Sequence, residues 1–230
     1  CTQKSSSMTL DEIAYNILNL LRGGRSSNDE LISLDQIKFN IQHYRAMLIR
    51  RDYARNGYVS KSIEQDLGCL HLEQVDASKC CGVELPTGCM VYKTKRRMPK
   101  TIRFNLTDAY TFIGKPDGTG TIPKIEPYEL EWIPYDKYTS RLTRYYVIDE
   151  YIYIYEPHGL ERINVRGVFE DPKSVAEFAT CETGFCYDDQ SPYPLPMDMV
   201  SAITNGLVQG ELSLLTSSIN DTENDKQQGQ

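Results

Sequence analysis

The sequence predicts an α+β fold whose helical and strand-rich parts are segregated along the chain. Three observations carry this expectation. Residues 9–22 and 34–54 repeat apolar positions at helical spacing. After Gly57 that periodicity gives way to short segments broken by Gly and Pro, rich in Tyr, Val and Ile. Beyond Asp171–Pro172 helical patterns return, ending in MDMVSAITNGLVQGELSLL (197–215).

TLDEIAYNILNLLR places Leu10, Ile13, Ala14, Ile17, Leu18 and Leu21 on one face of a first helix. Thr9 and Glu12 have capping-box spacing, and Gly23–Gly24 supplies a stop. Ser33 and Gln36 repeat the capping-box spacing before a second helix with the stripe Leu34, Ile37, Ile41, Tyr44 and Leu48. A short polar loop between two capped helices suggests an antiparallel hairpin. The middle of the chain then reads CLHLEQV, CMVYKT, TIRFNL, YTFIG and YELEWI. RYYVI (144–148), YIYIYE (151–156) and RINVRGVFE (162–170) alternate with period two, as a β-meander of two or three strands does. Asp171–Pro172 caps a short helix, PKSVAEF. In the last helix, Val200, Ile203, Leu207 and Leu214 share a face, and Asp198 and Ser201 serve the first turn.

These elements divide the chain into a flexible leader (1–8), a helical hairpin (9–56), a β-rich module (57–170), a C-terminal helical segment packing on the hairpin (171–215) and a polar, disordered acidic tail (216–230). A chain of 230 residues suffices for one sizeable core with or without a satellite module. Its net charge of −7 argues against a strongly basic nucleic-acid binder. No apolar run reaches the roughly 18 residues that a membrane span needs.

Seven cysteines are present; Cys80, Cys81 and Cys89 fall within KCCGVELPTGC (79–89), and Cys69 lies just upstream. At about 3% of the chain they fall well below the roughly 8–10% of a disulfide scaffold. The odd count and uneven spacing favour a reducing compartment. A zinc site drawn from Cys69, Cys80 or Cys81 and Cys89, with Cys181 or Cys186, is one reading. Adjacent cysteines orient poorly toward one tetrahedral ion, and no doubled CxxC is present. The plainer reading makes these cysteines small structural residues, with no metal and no cofactor. His43, His71 and His158 carry no catalytic signature, so no catalytic residue is expected. GKPDGTG (114–120) lacks the phosphate-loop order and reads as a turn. Cys1 followed by TQKSSS matches a mature lipoprotein start, which an upstream remnant before Met8 also explains.

Two basic clusters stand out. One lies on the second helix, at Lys38, Arg45, Arg50, Arg51 and Arg55. The other, at 93–103, holds Lys93, Lys95, Arg96, Arg97, Lys100 and Arg103 with no acidic residue. Local patches of this kind suit DNA phosphates or an acidic protein neighbour. Asp221, Glu223 and Asp225 of the tail offer such a neighbour in a second copy. Tyr151, Tyr153 and Tyr155, with an apolar body and a polar tip, suit a contact surface. Gly206 and Gly210 lie four apart on the last helix, at a cost of about 1 kcal/mol each relative to Ala. That spacing points to another backbone approaching closely.

Residues 9–52, EQDLGCL (64–70), the CC and TGC cluster, INVRGVFEDP (163–172) and the DMV and QGEL stretches of the last helix together resemble a virion structural protein of crAss-like bacteriophages, short-tailed phages of gut Bacteroidales. The resemblance covers most of residues 8–215. It implies a non-enzymatic ring subunit of the tail or head–tail connector, similar in outline to podovirus tail adaptors below the portal. It further implies a dodecameric ring of identical copies around the DNA exit channel, with portal or neighbouring ring proteins as partners. Non-specific contact with channel DNA, a virion location after assembly in the host cytoplasm, and no membrane partner also follow. Rival readings are a lipoprotein anchored through Cys1 and a zinc-stabilised DNA-binding module. Elemental analysis separates the last of these: the purified chain is expected to carry no stoichiometric zinc, and one zinc per chain would reassign KCCGVELPTGC to a metal site.

Overall fold

The computed structural model describes residues 8–21, 32–77, 89–105, 107–178 and 191–210. Among them are four α-helices: α1 (Leu10–Leu21), α2 (Leu34–Asn56), α3 (Pro172–Ala176) and α4 (Met197–Gln209). The strands are β1 (Gln65–Asp76), β2 (Met90–Thr94), β3 (Arg103–Phe104), β4 (Thr107–Asp108), β5 (Tyr110–Gly114), β6 (Arg144–Ile148), β7 (Tyr151–Tyr155) and β8 (Arg162–Gly167). The chain splits into two compact units, Cys1–Ile63 with Tyr187–Gln230, and Glu64–Cys186. The expected C-terminal segment 171–215 is therefore divided: α3 belongs to the sheet unit and α4 to the helical one.

In the helical unit α1 begins as its sequence predicts. Thr9 Oγ1 accepts from Glu12 N at 3.1 Å, and Glu12 Oε2 accepts from Thr9 N at 2.9 Å, a complete capping box. Ser33 Oγ accepts from Gln36 N at 3.2 Å at the start of α2, and Gly57, at φ 73°, closes the helix. Leu10, Ile13, Ile17, Ile37, Ile41, Leu48, Val200, Ile203 and Leu207 form the core of this unit. Pro-rich SPYPLP is part of that core and not a linker: Tyr193 and Leu195 are buried, Tyr193 N donates to Met8 O at 3.0 Å, and Pro192 bridges Thr9.

Arg45 corrects the sequence reading of α2. It sits one turn from Ile41 and Leu48, inside the apolar stripe, and is fully buried. Its Nε donates to Pro194 O at 3.2 Å, and its guanidinium lies 5.7 Å from the Tyr193 ring centroid. It belongs to the core and not to a surface patch, because a helical face places 41, 45 and 48 together whatever their charge. Lys38, a second member of that patch, pairs with Asp11 at 2.6 Å.

The sheet unit is built on a six-stranded sheet in the order β5-β8-β1-β2-β7-β6, with every neighbouring pair antiparallel. β1 spans 12 residues and changes partner along its length. Gln65 to His71 pair with β8, and Leu72 to Asp76 pair with β2. A bulge interrupts the first half at Gly68, whose φ of 73° is the left-handed conformation that such a bulge requires. Asp66 Oδ1 accepts from Gly68 N at 2.7 Å and holds the bulge. The expected meander is accordingly two strands, β6 and β7, joined through Asp149–Glu150, both at positive φ (50° and 65°) as a twist-matched two-residue turn demands. β8, although next in sequence, lies on the far side of β1.

Leu67, Ile113, Ile152, Ile154, Ile163, Val165 and Phe169 centre the core of this unit. α3 is capped by Asp171, whose Oδ1 accepts from Lys173 N at 2.9 Å, and sends Val175 into that core. GKPDGTG is the expected turn: Ile122 N donates to Ile113 O at 2.7 Å across it, and hydrogen bonds from Thr119 hold the Asp117 carboxyl below its ordinary pKa. YELEWI departs from the β-rich pattern. Pro127 and Pro134 start two 3-10 turns, Pro127–Glu129 and Ile133–Tyr135, because proline has no N–H for a sheet ladder.

Two outcomes are expected. Replacing Arg45 by Ala should destabilise the helical unit by about 2–4 kcal/mol, since it empties a buried volume and strands the Pro194 carbonyl; Arg45→Met, which keeps the stem, should lose less. Urea titration followed by far-UV circular dichroism reads both. Burial pushes the Tyr145 hydroxyl up to about 12, from about 10 in an unfolded chain. The folded state thus holds this proton more tightly. The associated stability is complete below pH 10 and is lost between pH 10 and 12. Tyr145→Phe should flatten that alkaline loss in melts taken across the same range.

Candidate functional site

The candidate surfaces divide into those that the chain itself occupies and those left open. Arg50, Arg51 and Arg55 lie exposed on the last two turns of α2. Gly206 has an intrachain neighbour: a Cβ there would stand 3.0 Å from Tyr44 Cε1. The close approach that the glycine spacing suggested is an aromatic ring of α2, not a backbone. Gly210 ends α4, and a Cβ on it would meet the Gly206 carbonyl oxygen at 2.5 Å.

The basic segment 93–103 is largely answered within the sheet unit. Lys93 stands 3.9 Å from Glu73 and 4.4 Å from the Tyr151 ring centroid. Arg96 Nη1 donates to Glu177 O at 2.8 Å, Arg97 pairs with Glu150 at 2.7 Å, and Arg103 stands 3.9 Å from Asp108. Lys95, Arg96, Arg97 and Lys100 nonetheless remain exposed. Such water-facing pairs are worth at most about 1 kcal/mol, so they leave the patch available to a partner.

Arg96, Arg97, Met98, Pro99, Glu177 and Phe178 line an open depression of about 440 Å³. A neighbouring cavity of about 220 Å³ shares Arg96, Met98 and Phe178 and adds Cys69, His71 and Lys95. Cys69 and His71 stand two apart on β1. Among the described residues no group of three His, Cys, Asp or Glu is placed to hold a metal ion. Cys89 is exposed, whereas Cys1, Cys80, Cys81, Cys181 and Cys186 lie outside the described residues, as do the acidic tail residues Asp221, Glu223 and Asp225.

The tyrosine ladder of β7 is only partly a surface. Tyr153 is buried and stacks on Tyr146, with ring centroids 5.1 Å apart and an interplanar angle of 9°. Tyr151 and Tyr155 are half-buried. The most exposed aromatic surface is a different one. Between β5 and β6, Tyr128 (73%), Trp132 (66%), Tyr135 (81%) and Tyr138 (86%) stand in water. The two 3-10 turns present them, and Ile125, Ile133 and Arg144 hold the loop to the sheet: Ile125 N donates to Tyr145 O at 2.8 Å, and Arg144 stands 3.8 Å from Asp136. Tyr128, Trp132 and Ile133 border an open depression of about 520 Å³. Sequence reasoning passed over this loop because YELEWI looks like a half-buried strand. The signal available was its two prolines, which forbid a ladder and turn the aromatic side chains outward.

His43 lies beside Tyr44 on α2, and His158 Nε2 lies 2.6 Å from Arg141 O in the β7–β8 turn. Among the described residues, no helix is long and apolar enough to cross a membrane. A search of curated proteins returns no match to this chain. The profile of the crAss-like phage family described as phage tail ring protein 2 matches residues 12–230, through both compact units. That match spans nearly the whole sequence, so the chain belongs to the phage tail ring protein 2 family, a family of structural, ring-forming tail proteins of crAss-like bacteriophages.

Proposed function

We propose that this chain is a non-enzymatic subunit of a homo-oligomeric ring at the head–tail connector, an adaptor below the portal that encircles the DNA exit channel. The observation that carries the reading is the family match running from residue 12 to 230. The adaptor position rests on the outline shared with podovirus adaptors, a helical part joined to a β-rich part.

In this reading the ring holds twelve copies, assembled in the host cytoplasm and retained in the virion. The helical unit, with Arg50, Arg51 and Arg55 on α2, supplies lateral contacts together with α4. The sheet unit supplies further contacts, to the next copy as well as to the portal or neighbouring rings, through Lys95, Arg96 and Arg97 and the exposed edges of Tyr151 and Tyr155. Basic side chains that face the channel touch DNA through phosphates only, without reading sequence.

Two measurements test the reading. Native mass spectrometry of the full chain is expected to show a closed ring of twelve identical subunits; another closed number would change the copy count and leave the ring. Labelling intact virions with an antibody against the chain should place it at the junction of head and tail. Label on the capsid shell or on distal fibres would sink the connector assignment.

A further inference from the structure

The exposed aromatic loop and the basic depression have matching chemistry and lie in the same unit. The loop Tyr128–Tyr138 contains Glu129, Glu131 and Asp136 against Lys137, whose Nζ lies 5.3 Å from the Tyr138 ring centroid, so Trp132 and Tyr135 are carried on a stem of net negative charge. Glu126 is engaged by Lys124 at 2.9 Å, and Glu129 Oε2 caps Glu126 N at 3.1 Å. Glu131 is exposed beside Trp132. Four side chains of this size, each about three-quarters exposed, offer on the order of 600 Å² of aromatic surface. Tyr128 and Trp132 border one depression, and exposed apolar surface gathered in this way marks interaction sites.

The depression at Arg96, Arg97, Met98, Pro99 and Phe178 is its counterpart, with an apolar floor and guanidinium groups on the rim. Arginine over an aromatic face is attractive by the ring quadrupole, and the acidic stem adds opposite charge.

The two features are mounted at opposite ends of one hairpin. The loop is anchored at the start of β6, through Ile125 to Tyr145 and Asp136 to Arg144. The depression is anchored at the opposite end of the same hairpin, where Arg97 pairs with Glu150 and Met98 N donates to Glu150 O at 2.7 Å. From Tyr145 to Ile148 the strand spans about 10 Å at roughly 3.3 Å per residue, and Asp149–Glu150 turn the chain beyond it. A projecting group at one end of a rigid hairpin and a complementary hollow at the other form a head-to-tail pair. Head-to-tail contacts generate rings when the rotation closes.

We infer that the loop Tyr128–Tyr138 of one copy docks, Trp132 foremost, into the Arg96–Phe178 depression of the next copy, and that this contact closes the ring. The inference rests on the ring-forming reading and names the surfaces that make it.

The test uses two variants of the full chain. Trp132→Ala with Tyr135→Ala removes the projecting group and leaves the depression. Lys95→Glu with Arg96→Glu reverses the rim and leaves the loop. All four side chains are exposed, so circular dichroism melts should match the wild type. Analytical ultracentrifugation is expected to show rings for the wild type and monomers for each variant alone, with association weakened at least tenfold. A one-to-one mixture of the variants should give heterodimers and stop there, because such a pair retains one competent contact. Trp132 is the only tryptophan in the chain, so its emission reports the docking directly. It should shift to the blue as the wild type assembles and stay unshifted in Lys95→Glu/Arg96→Glu. Variants that form rings as readily as the wild type would overturn the docking and leave the ring reading intact. A wild type that stays monomeric at every concentration would overturn both, a result distinct from the first.

Discussion

The sheet unit depends on one long strand changing partners. β1 pairs with β8 up to His71 and with β2 from Leu72 onward. β8 and β2 lie on opposite edges of β1 and are offset along it, so the first half of the strand is laddered on one side and the second half on the other. The Gly68 bulge, held by the Asp66 carboxylate, adds local twist just ahead of that point. The consequence reaches the surfaces of interest. β8 is drawn across to β5, the β6–β7 hairpin joins the sheet through β2, and the two ends of that hairpin become the places where the acidic aromatic loop and the basic depression are mounted.

The helical unit is organised around a buried charge. Arg45 sits among isoleucines and leucines, where an unpaired cation would cost several kcal/mol. Its hydrogen bond to the Pro194 carbonyl and the Tyr193 ring offset that cost and tie the segment before α4 to the middle of α2. A purely apolar residue would fill the same space with less desolvation penalty. The guanidinium demands a carbonyl in one particular place, and so it selects one path for SPYPLP. Tyr193 N extends the tie to Met8, at the entry to α1.

Charge is distributed differently in the two basic clusters that the sequence displays. On α2 two of the five members are consumed by the unit's own structure, Arg45 in the core and Lys38 on Asp11. In 93–103 most members have an intrachain carboxylate, carbonyl or ring within reach, yet their heads stay in water. Such pairs cost little to rearrange.

Much of the fold was legible because it is local. The capping box at Thr9, the N-cap at Ser33, the helical stripes, the period-two runs of β6 and β7 and the Asp149–Glu150 turn depend on neighbours a few residues away, and the sequence by itself determined them. So did the α+β class and, through motifs spread over the whole chain, the family. Tertiary structure alone decided what depends on distant partners. Nothing near β8 says that it pairs with Gln65 rather than with β7, because ladder hydrogen bonds are identical whichever strand supplies them and only packing chooses. Arg45 reads as surface charge until Pro194, 149 residues away, supplies its acceptor. The exposed loop was hidden for a related reason: YELEWI has the composition of a half-buried strand, and its aromatic side chains face water because the prolines deny it a partner strand.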